Sequence, residues 1–558
     1  MDPARMEAVI GELKGLTLGA ALRRSAKLHA DRPFIMGTDQ PMSFAAFDAW
    51  VDRIAGSLLA LGVRHGDHVA LWLANSPQWV ALFCACARIG AVLIPINTRY
   101  KTEEAAYILE SSDARVLVMT RQLWKINYYD MLDRIAPDVK EQHAGTLELK
   151  AFPQLRSIIT IDDEAAPGIM NWKDFMGHEA APGALAEAEA CVKDRDRLLI
   201  CFTSGTTGKP KGAMHSHVCI KQATRVGLAL HTEAGDRVLG HMPFYHVAGT
   251  FMAMIPALTL GAGLVLMQEW NADHALELIE REKVTIFGGI PTHFHDLTER
   301  PSLARHDTSS LKSAWIGGSP VMKATFEHYL KSLRLQKLLS TYGMTENTIS
   351  TTFNHWDDPV ELCCLNKAPR LGVCEVKIVD TATFTTLGPE QDGEIWCRGE
   401  TVMLGYYRNP EATKETITAD GWLRTGDIGR FDDKGYLSIT GRLKDMFKTG
   451  GTNAYPVEIE QHLARHGAIA QSVVVGVPDE RLDEVGYAFI QLHDKAQLTA
   501  ADVVAHCRGQ IADYKVPHYV RFFDDFPRTS TGKIMRAELA KLAREEVTSG
   551  RISKVGRG

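Results

Sequence analysis

VALWLANSPQWVALFCACARIGAVLI, residues 69–94, sets the fold class by its own pattern. Val69–Leu73 is a short apolar run of strand length, and Ser76 followed by Pro77 supplies an N-cap and a first helical residue. A mainly apolar helix then reaches Ile89. Gly90 stops it, and Ala91–Ile94 reads as the next strand. A strand–helix–strand crossover of this length implies a parallel sheet.

The same alternation returns after residue 195. Leu198–Phe202 reads as a strand, followed by a Ser/Thr/Gly loop and a helix starting near Ser216. Val247–Leu260 reads as one helix closed by Gly261, with a strand at Leu264–Met267. Helix Asp273–Arg281 leads to strand Val284–Phe287, which ends in Gly288–Gly289. Strand Ser313–Ile316 ends in Gly317–Gly318, and Leu338–Thr341 ends in Tyr342–Gly343. In an open parallel sheet, ligands bind in the crevice beyond such strand ends.

Past about residue 350 short strands such as Val376–Val379 and Gly393–Arg398 predict a β-rich subdomain. From Arg442 onward helix Pro456–Arg465, strand Ser472–Val477 and helix Ala500–Ala512 suggest a small α+β domain. The expected organisation is a 1–443 N-terminal domain of parallel α/β subdomains plus a β-rich subdomain at about 350–440. A mobile α+β C-terminal domain follows at 444–558.

A chain of 558 residues exceeds one compact core. Its formal net charge of −6 leaves no basic footprint for nucleic acid. The ten cysteines form no CxxC or Cys/His ligand spacing, so zinc is not expected and a reducing, cytoplasmic setting is. No run reaches the 18 apolar residues of a membrane span, and Asp2, Glu7 and Glu12 interrupt any signal-peptide core. A homodimer is compatible with the sequence.

Thr203-Ser-Gly-Thr-Thr-Gly-Lys-Pro-Lys-Gly212 carries the most chemistry. Its glycines permit tight turns with exposed N–H groups, its hydroxyls donate to oxyanions, and Lys209 and Lys211 add positive charge. Following a buried strand, that combination suits a phosphate-cradling loop. It is not the common nucleotide loop, because Pro210 stands where Ser or Thr would hold magnesium. Composition alone also fits a flexible surface loop.

With this loop and five further motifs in order, the chain resembles the adenylate-forming superfamily, in its acyl-CoA synthetase branch, from about residue 20 to 540. Tyr342-Gly-Met-Thr-Glu346 looks like the central motif; the resemblance implies that Thr345 bonds the phosphates and Glu346 binds Mg²⁺ on ATP. Thr341, Tyr342 and Gly343 fall at the nucleotide site with it. Gly317-Gly318-Ser319-Pro320 is similar to the adenine-contacting turn. Gly421-Trp-Leu-Arg-Thr-Gly-Asp427 resembles the segment whose aspartate binds the ribose hydroxyls. Gly441-Arg442-Leu-Lys444-Asp445 looks like the interdomain junction, with Arg442 reaching nucleotide and Lys444 at the hinge. Pro527-Arg-Thr-Ser-Thr-Gly-Lys533 resembles the loop delivering the adenylation lysine. The nucleotide set from the first loop is Thr203, Ser204, Gly205, Thr206, Thr207, Gly208, Lys209 and Lys211.

The resemblance implies an ATP-dependent carboxylic acid–CoA ligase forming acyl-AMP and then acyl-CoA. Lys448, Gly450 and Gly451 would then meet coenzyme A after domain rotation, with Lys448 counted among the catalytic groups. His241-Met-Pro-Phe-Tyr-His246 looks like the acyl gate, with His246 the gate residue or a packed loop residue. Val247, Thr250, Phe251, Gly288, Ile290, Gly343 and Met344 complete an apolar acyl pocket. Gly343 stands where acetate-specific members carry tryptophan, so a medium-chain, alicyclic or aromatic acid is expected. Pro243–Phe244–Tyr245 lacks the aspartate of amino-acid-activating domains. His215, His217, His293 and His295 are expected to be packed loop or pocket residues rather than metal ligands. Alternatives are a ligase loading a carrier protein, a luciferase-like oxidative enzyme, or a binding protein without turnover.

Overall fold

The computed structural model describes residues 3–203, 209–318, 321–348, 350–372, 374–528 and 534–555. The chain forms two compact units, residues 1–375 with 397–423, and residues 376–396 with 424–558.

The first unit holds two eight-stranded sheets among the described residues. One runs Thr352–Phe353, Lys337–Tyr342, Ser313–Gly317, Ile286–Gly289, Arg237–Gly240, Gly263–Leu266, Pro33–Met36 and Met42–Ser43. Its inner strands are parallel, with Gly288 opposite Trp315 and Gly317 opposite Thr341. The other runs Gly405–Tyr406, Lys211–Ser216, Arg197–Thr203, Val92–Pro95, His68–Trp72, Ala114–Met119, Ser157–Thr160 and Met170–Asn171. Arg197–Thr203 and Lys211–Ser216 pair antiparallel, so the Ser/Thr/Gly loop is the connection of a hairpin whose second strand the sequence did not reveal. The helix expected near Ser216 starts at Cys219.

The crossover helix is Pro77–Ile89. Ser76 caps it by accepting from Trp79 N at 3.1 Å, and Gly90 closes it at φ +73°. Every residue from Trp79 to Ile89 is buried, which explains why the helix is apolar all round. It belongs to one core with side chains from both sheets and from helices Leu18–Leu28 and Phe44–Ala60. Its one charge, Arg88, donates to Asp52 at 2.6 Å and to Asp48, because a buried guanidinium must be paired. Phe44, Phe47, Trp79 and Phe83 are fully buried there, each contributing about 1.5–3 kcal/mol.

The second unit carries a four-stranded sheet ordered Glu375–Val379, Gly393–Arg398, Leu423–Phe431 and Leu437–Arg442, whose outermost residues belong to the first unit. It also carries a five-stranded sheet centred on the long pair Ile469–Asp479 and Asp483–Leu492. Helices Pro456–Leu463, Ala500–Cys507 and Arg536–Thr548 accompany that second sheet, as an α+β pattern requires.

Candidate active site

The carboxyl ends of parallel strands Ile286–Gly289, Ser313–Gly317 and Lys337–Tyr342 carry the candidates Gly288, Gly317, Thr341 and Tyr342. Strand Lys337–Tyr342 delivers Gly343, Met344, and the short turn Thr345–Asn347. Thr341 is buried with its hydroxyl committed to Ser350 Oγ at 2.7 Å and to the Thr352 carbonyl at 2.9 Å, so it braces the strand end. Glu346 is only 9% exposed. Its Oε1 accepts from the Tyr406 hydroxyl at 2.9 Å, and its carbonyl accepts from Met403 N at 2.8 Å.

Tyr406 is placed by strand Gly405–Tyr406, which pairs with Lys211–Ser216 so that Ala213 faces Tyr406. Gly405 adopts φ +127°, and an added Cβ would sit 2.8 Å from Thr413 Cγ2, so only glycine lets the strand turn in there. Burial, and then the charge of Glu346, push the Tyr406 phenol upward, which keeps it a hydrogen-bond donor. Lys211 Nζ lies 5.2 Å from the Tyr406 ring centroid, and Lys209 Nζ lies 4.8 Å from that of Tyr107, whose hydroxyl donates to the Pro210 carbonyl at 3.2 Å. Thr203 Oγ1 donates to the Lys211 carbonyl at 3.3 Å, closing the hairpin base. The buried Glu346 carboxylate and Lys211 thus meet on the same tyrosine, one at its hydroxyl and one over its ring. Glu346 offers a hard oxygen donor that suits Mg²⁺ held jointly with substrate phosphates. Ser204, Gly205, Thr206, Thr207, Gly208, Ser319 and Pro320 lie outside the described residues.

The segment expected to line the acyl pocket is mostly apolar and buried. The segment expected as one helix is α-helical over Val247–Gly249 and Ile255–Leu260 with a π-helical stretch Thr250–Met254 between, a departure that recurs at functional sites. Gly249 rests on the loop Met242–Pro243; a Cβ would lie 2.4 Å from the Pro243 carbonyl. Phe251 is fully buried and meets the His215 ring edge-on at 5.7 Å. His246 follows Tyr245, their rings 4.8 Å apart. A Cβ on Gly288 would lie 2.0 Å from Trp315 Nε1, and one on Gly317 would lie 3.7 Å from Trp315 Cζ3. The indole therefore spans both glycines. Ile290 Cγ2 packs within 3.4 Å of the Cβ position of Gly318.

Of the four histidines singled out, His215 and His217 are buried, His293 is half-buried, and His295 is exposed on helix Pro291–Thr298 rather than packed. Burial drives His215 and His217 down to about 4, and His217 Nδ1 accepts from Leu18 N at 3.0 Å. His293, also driven to about 4 by burial, joins His241, Trp270 and Phe287 in an aromatic cluster. Among the described residues no group of three His, Cys, Asp or Glu side chains can hold a metal ion.

In the second unit Asp427 is 4% exposed and its Oδ1 accepts from Arg442 Nε at 2.9 Å across paired strands. Lys444 is exposed in the turn that follows Arg442. Lys448 is exposed on strand Phe447–Thr449, its N–H donating to Glu484 Oε2 at 3.1 Å. Gly450 and Gly451, at φ +57° and +81°, form the two-residue turn to Thr452–Ala454. A hairpin turn with both residues at positive φ favours glycine for backbone reasons alone. Lys533 lies outside the described residues.

Tyr406 and Trp315 were not legible beforehand. Tyr406 is 60 residues from Glu346 in sequence, and only the edge-strand pairing joins them. For Trp315 a weak signal existed, a bulky aromatic just before a Gly-Gly strand end.

The AMP-binding enzyme model matches residues 22–407, and the AMP-binding enzyme C-terminal domain model matches residues 458–533. A 3-[(3aS,4S,7aS)-7a-methyl-1,5-dioxo-octahydro-1H-inden-4-yl]propanoyl:CoA ligase of Rhodococcus jostii is 36% identical, covering 93% of this chain and 97% of the relative. The mitochondrial medium-chain acyl-CoA ligase ACSF2 of Mus musculus is 33% identical, covering 94% of this chain and 87% of the relative. The crystal structure of ATP-bound MatB from Rhodopseudomonas palustris superposes with a TM-score of 0.82 at 27% identity, covering 95% and 99% of the two chains. On the family models and on relatives matched along nearly their whole length, the chain belongs to the AMP-binding enzyme family.

Proposed function

We propose that this chain is an AMP-forming acid–CoA ligase acting on a medium-chain, alicyclic or aromatic carboxylic acid. The observation that carries the reading is Glu346, buried at a strand end and fixed by the Tyr406 hydroxyl, with Lys211 Nζ over the same Tyr406 ring.

A carboxylate is a poor electrophile, because its charge repels nucleophiles and its leaving group would be oxide. Attack of its oxygen on the ATP α-phosphorus expels pyrophosphate and leaves a mixed anhydride with AMP as a good leaving group. The thiol of CoA then attacks the acyl carbon, AMP departs, and the thiol proton passes to solvent. Two anions must meet in the first step, so the chain's task is positioning and charge compensation. Lys533 is assigned to the α-phosphate and substrate carboxylate, and Lys209, Lys211 and Thr345 to the departing phosphates. Glu346 would hold Mg²⁺, which when bound neutralises phosphate charge. Asp427, an acceptor-only group, is assigned to the ribose hydroxyls, with Arg442 orienting it.

Val247, Phe251, Gly288 and Met344 are assigned to the acyl pocket with Trp315, which packs on Gly288, and their apolar character supports a hydrocarbon or ring substrate over a charged one. The relatives named for medium-chain and polycyclic acids support the same class. Lys444 is assigned to a hinge between residues 1–443 and 444–558, and Lys448, Gly450 and Gly451 to the CoA-facing loop. No helix among the described residues is long and apolar enough to cross a membrane; a cytoplasmic site of action is part of the proposal.

The test is incubation with ATP, Mg²⁺ and acids from acetate to dodecanoate, with benzoate and cyclohexanecarboxylate, with and without CoA. An acyl-CoA product with AMP is the expected result. Acyl-AMP that persists despite CoA would replace the CoA reading with another acceptor.

A further inference from the structure

The Gly450–Gly451 turn has no side chains of its own to fix it, so its position comes from what it rests on. Gly450 N–H donates to the Leu482 carbonyl at 2.8 Å, and Leu482 Cδ2 lies 3.5 Å from the Cβ position of Gly450. Just before it in sequence, Lys448 N–H donates to Glu484 Oε2 at 3.1 Å and Thr449 Oγ1 donates to the Glu484 carbonyl at 2.8 Å. The hairpin is therefore seated on a second turn, residues 479–483, which joins strands Ile469–Asp479 and Asp483–Leu492.

That second turn is built round one carboxylate. Asp479 Oδ1 accepts from Arg481 N and Leu482 N, each at 3.0 Å, so it sets the backbone whose Leu482 carbonyl holds Gly450. The Asp479 side chain is 3% exposed, whereas Glu480, Arg481 and Asp483 are exposed residues. A covered carboxylate is costly unless a cation meets it, and Asp479 Oδ2 accepts from Lys554 Nζ at 2.5 Å. Lys554 is 75 residues away in sequence, on the segment that follows helix Arg536–Thr548. That segment is tied at both ends. Arg551 N–H donates to the Glu546 carbonyl at 3.0 Å, and Val555 N–H donates to the His518 carbonyl at 2.9 Å. Between them Ile552 packs on the core that contains Val477 and Val485.

We propose that Lys554 is a positioning residue for thioester formation, acting through Asp479 on the turn that seats Gly450 and Gly451. This deepens the assignment of that loop to CoA and depends on it. Adenylation does not use the loop, so loss of the Lys554 charge should separate the two half-reactions.

The experiment compares full-length wild type, Lys554→Met and Lys554→Arg. Methionine keeps an unbranched apolar stem and removes the charge; arginine restores a cation. Amide hydrogen exchange over residues 448–452 and 479–483, followed by mass spectrometry, reads both turns without any substrate. Acid-dependent pyrophosphate exchange without CoA reads adenylation, and acyl-CoA synthesis at varied CoA reads the second step. Lys554→Met should exchange amides faster in both segments, keep wild-type pyrophosphate exchange, and raise the KM for CoA about 5-fold, the scale of one hydrogen bond. Lys554→Arg should recover most of each change. Unchanged amide exchange in Lys554→Met would overturn the link from Lys554 to the turns. Faster amide exchange with an unchanged KM for CoA, or with an equal loss of pyrophosphate exchange, would overturn the positioning role. A wild type that forms acyl-AMP but no acyl-CoA would overturn the CoA assignment of the loop and the thioester role with it, an outcome distinct from an active ligase indifferent to Lys554→Met.

Discussion

Tyr406→Phe removes one atom from the site and leaves its frame standing. The ring stays, and with it the contact to Lys211 Nζ at 5.2 Å and the strand pairing opposite Ala213. What goes is the 2.9 Å hydrogen bond to Glu346 Oε1. A hydrogen bond to a charged acceptor is worth about 1.5–3 kcal/mol when one partner is deleted. Glu346 is 9% exposed, so water replaces the phenol poorly and a value near 2 kcal/mol is expected. The carboxylate that is to hold Mg²⁺ then loses its fixed orientation. The kcat/KM for ATP in acid-dependent pyrophosphate release should fall about 10–30-fold, and excess Mg²⁺ should recover part of the loss. The phenol is pushed upward by burial and by the charge of Glu346, so the ratio of wild type to variant should be constant across neutral pH. The assay is initial-rate pyrophosphate release at varied ATP and Mg²⁺. A variant with wild-type rates and an unshifted Mg²⁺ requirement would refute the role given to the pair.

Lys533→Ala should slow acyl-AMP formation by about 10²–10⁴-fold, measured by single-turnover quench, and a normal rate would remove the assignment. Trp315→Ala should shift the acid preference toward bulkier rings, read as ratios of kcat/KM over the acid panel, because the indole spans Gly288 and Gly317; an unchanged ranking would place the acid elsewhere. Lys444→Pro should spare adenylation and cripple thioester formation, and equal loss of both counts against the hinge. On unfolding, His215, His217 and His293 titrate near the ordinary 6.5, whereas folded they stay neutral to about 4. The unfolded state then binds more protons in that window, so stability present at pH 7 is lost as pH falls from 6.5 toward 4. Asp479, held by Lys554 down to about 2, contributes its own loss only below about 3.8, outside that window. Thermal unfolding followed from pH 7.5 to 5 should show the decline, and a flat profile would contradict neutral burial of these rings.

Local patterns carried much of the architecture. The Ser76–Pro77 start and Gly90 stop fall where the structure has them, because caps and glycines act on their own turn. The strand Lys211–Ser216 was hidden, since Lys, His and Ser dilute an apolar alternation and only its antiparallel partner Arg197–Thr203 defines it. The π-helical stretch Thr250–Met254 was equally silent, because the wider, underwound turn leaves the apolar run unbroken. At the site, the motifs named Glu346 but not what fixes it: Tyr406 arrives through an edge strand, a long-range pairing with no sequence period. The glycines Gly450 and Gly451 illustrate the opposite hazard, since the hairpin turn accounts for them without any ligand.

The most direct test is acid-dependent exchange of radiolabelled pyrophosphate into ATP in the absence of CoA. Label should enter ATP only when the cognate acid and Mg²⁺ are present, and should stop entering in Lys533→Ala, because exchange requires reversible acyl-AMP formation. Rapid acyl-CoA synthesis from ATP, acid and CoA with no exchange in the absence of CoA, or with ADP and phosphate in place of AMP and pyrophosphate, would contradict an adenylate mechanism for this site.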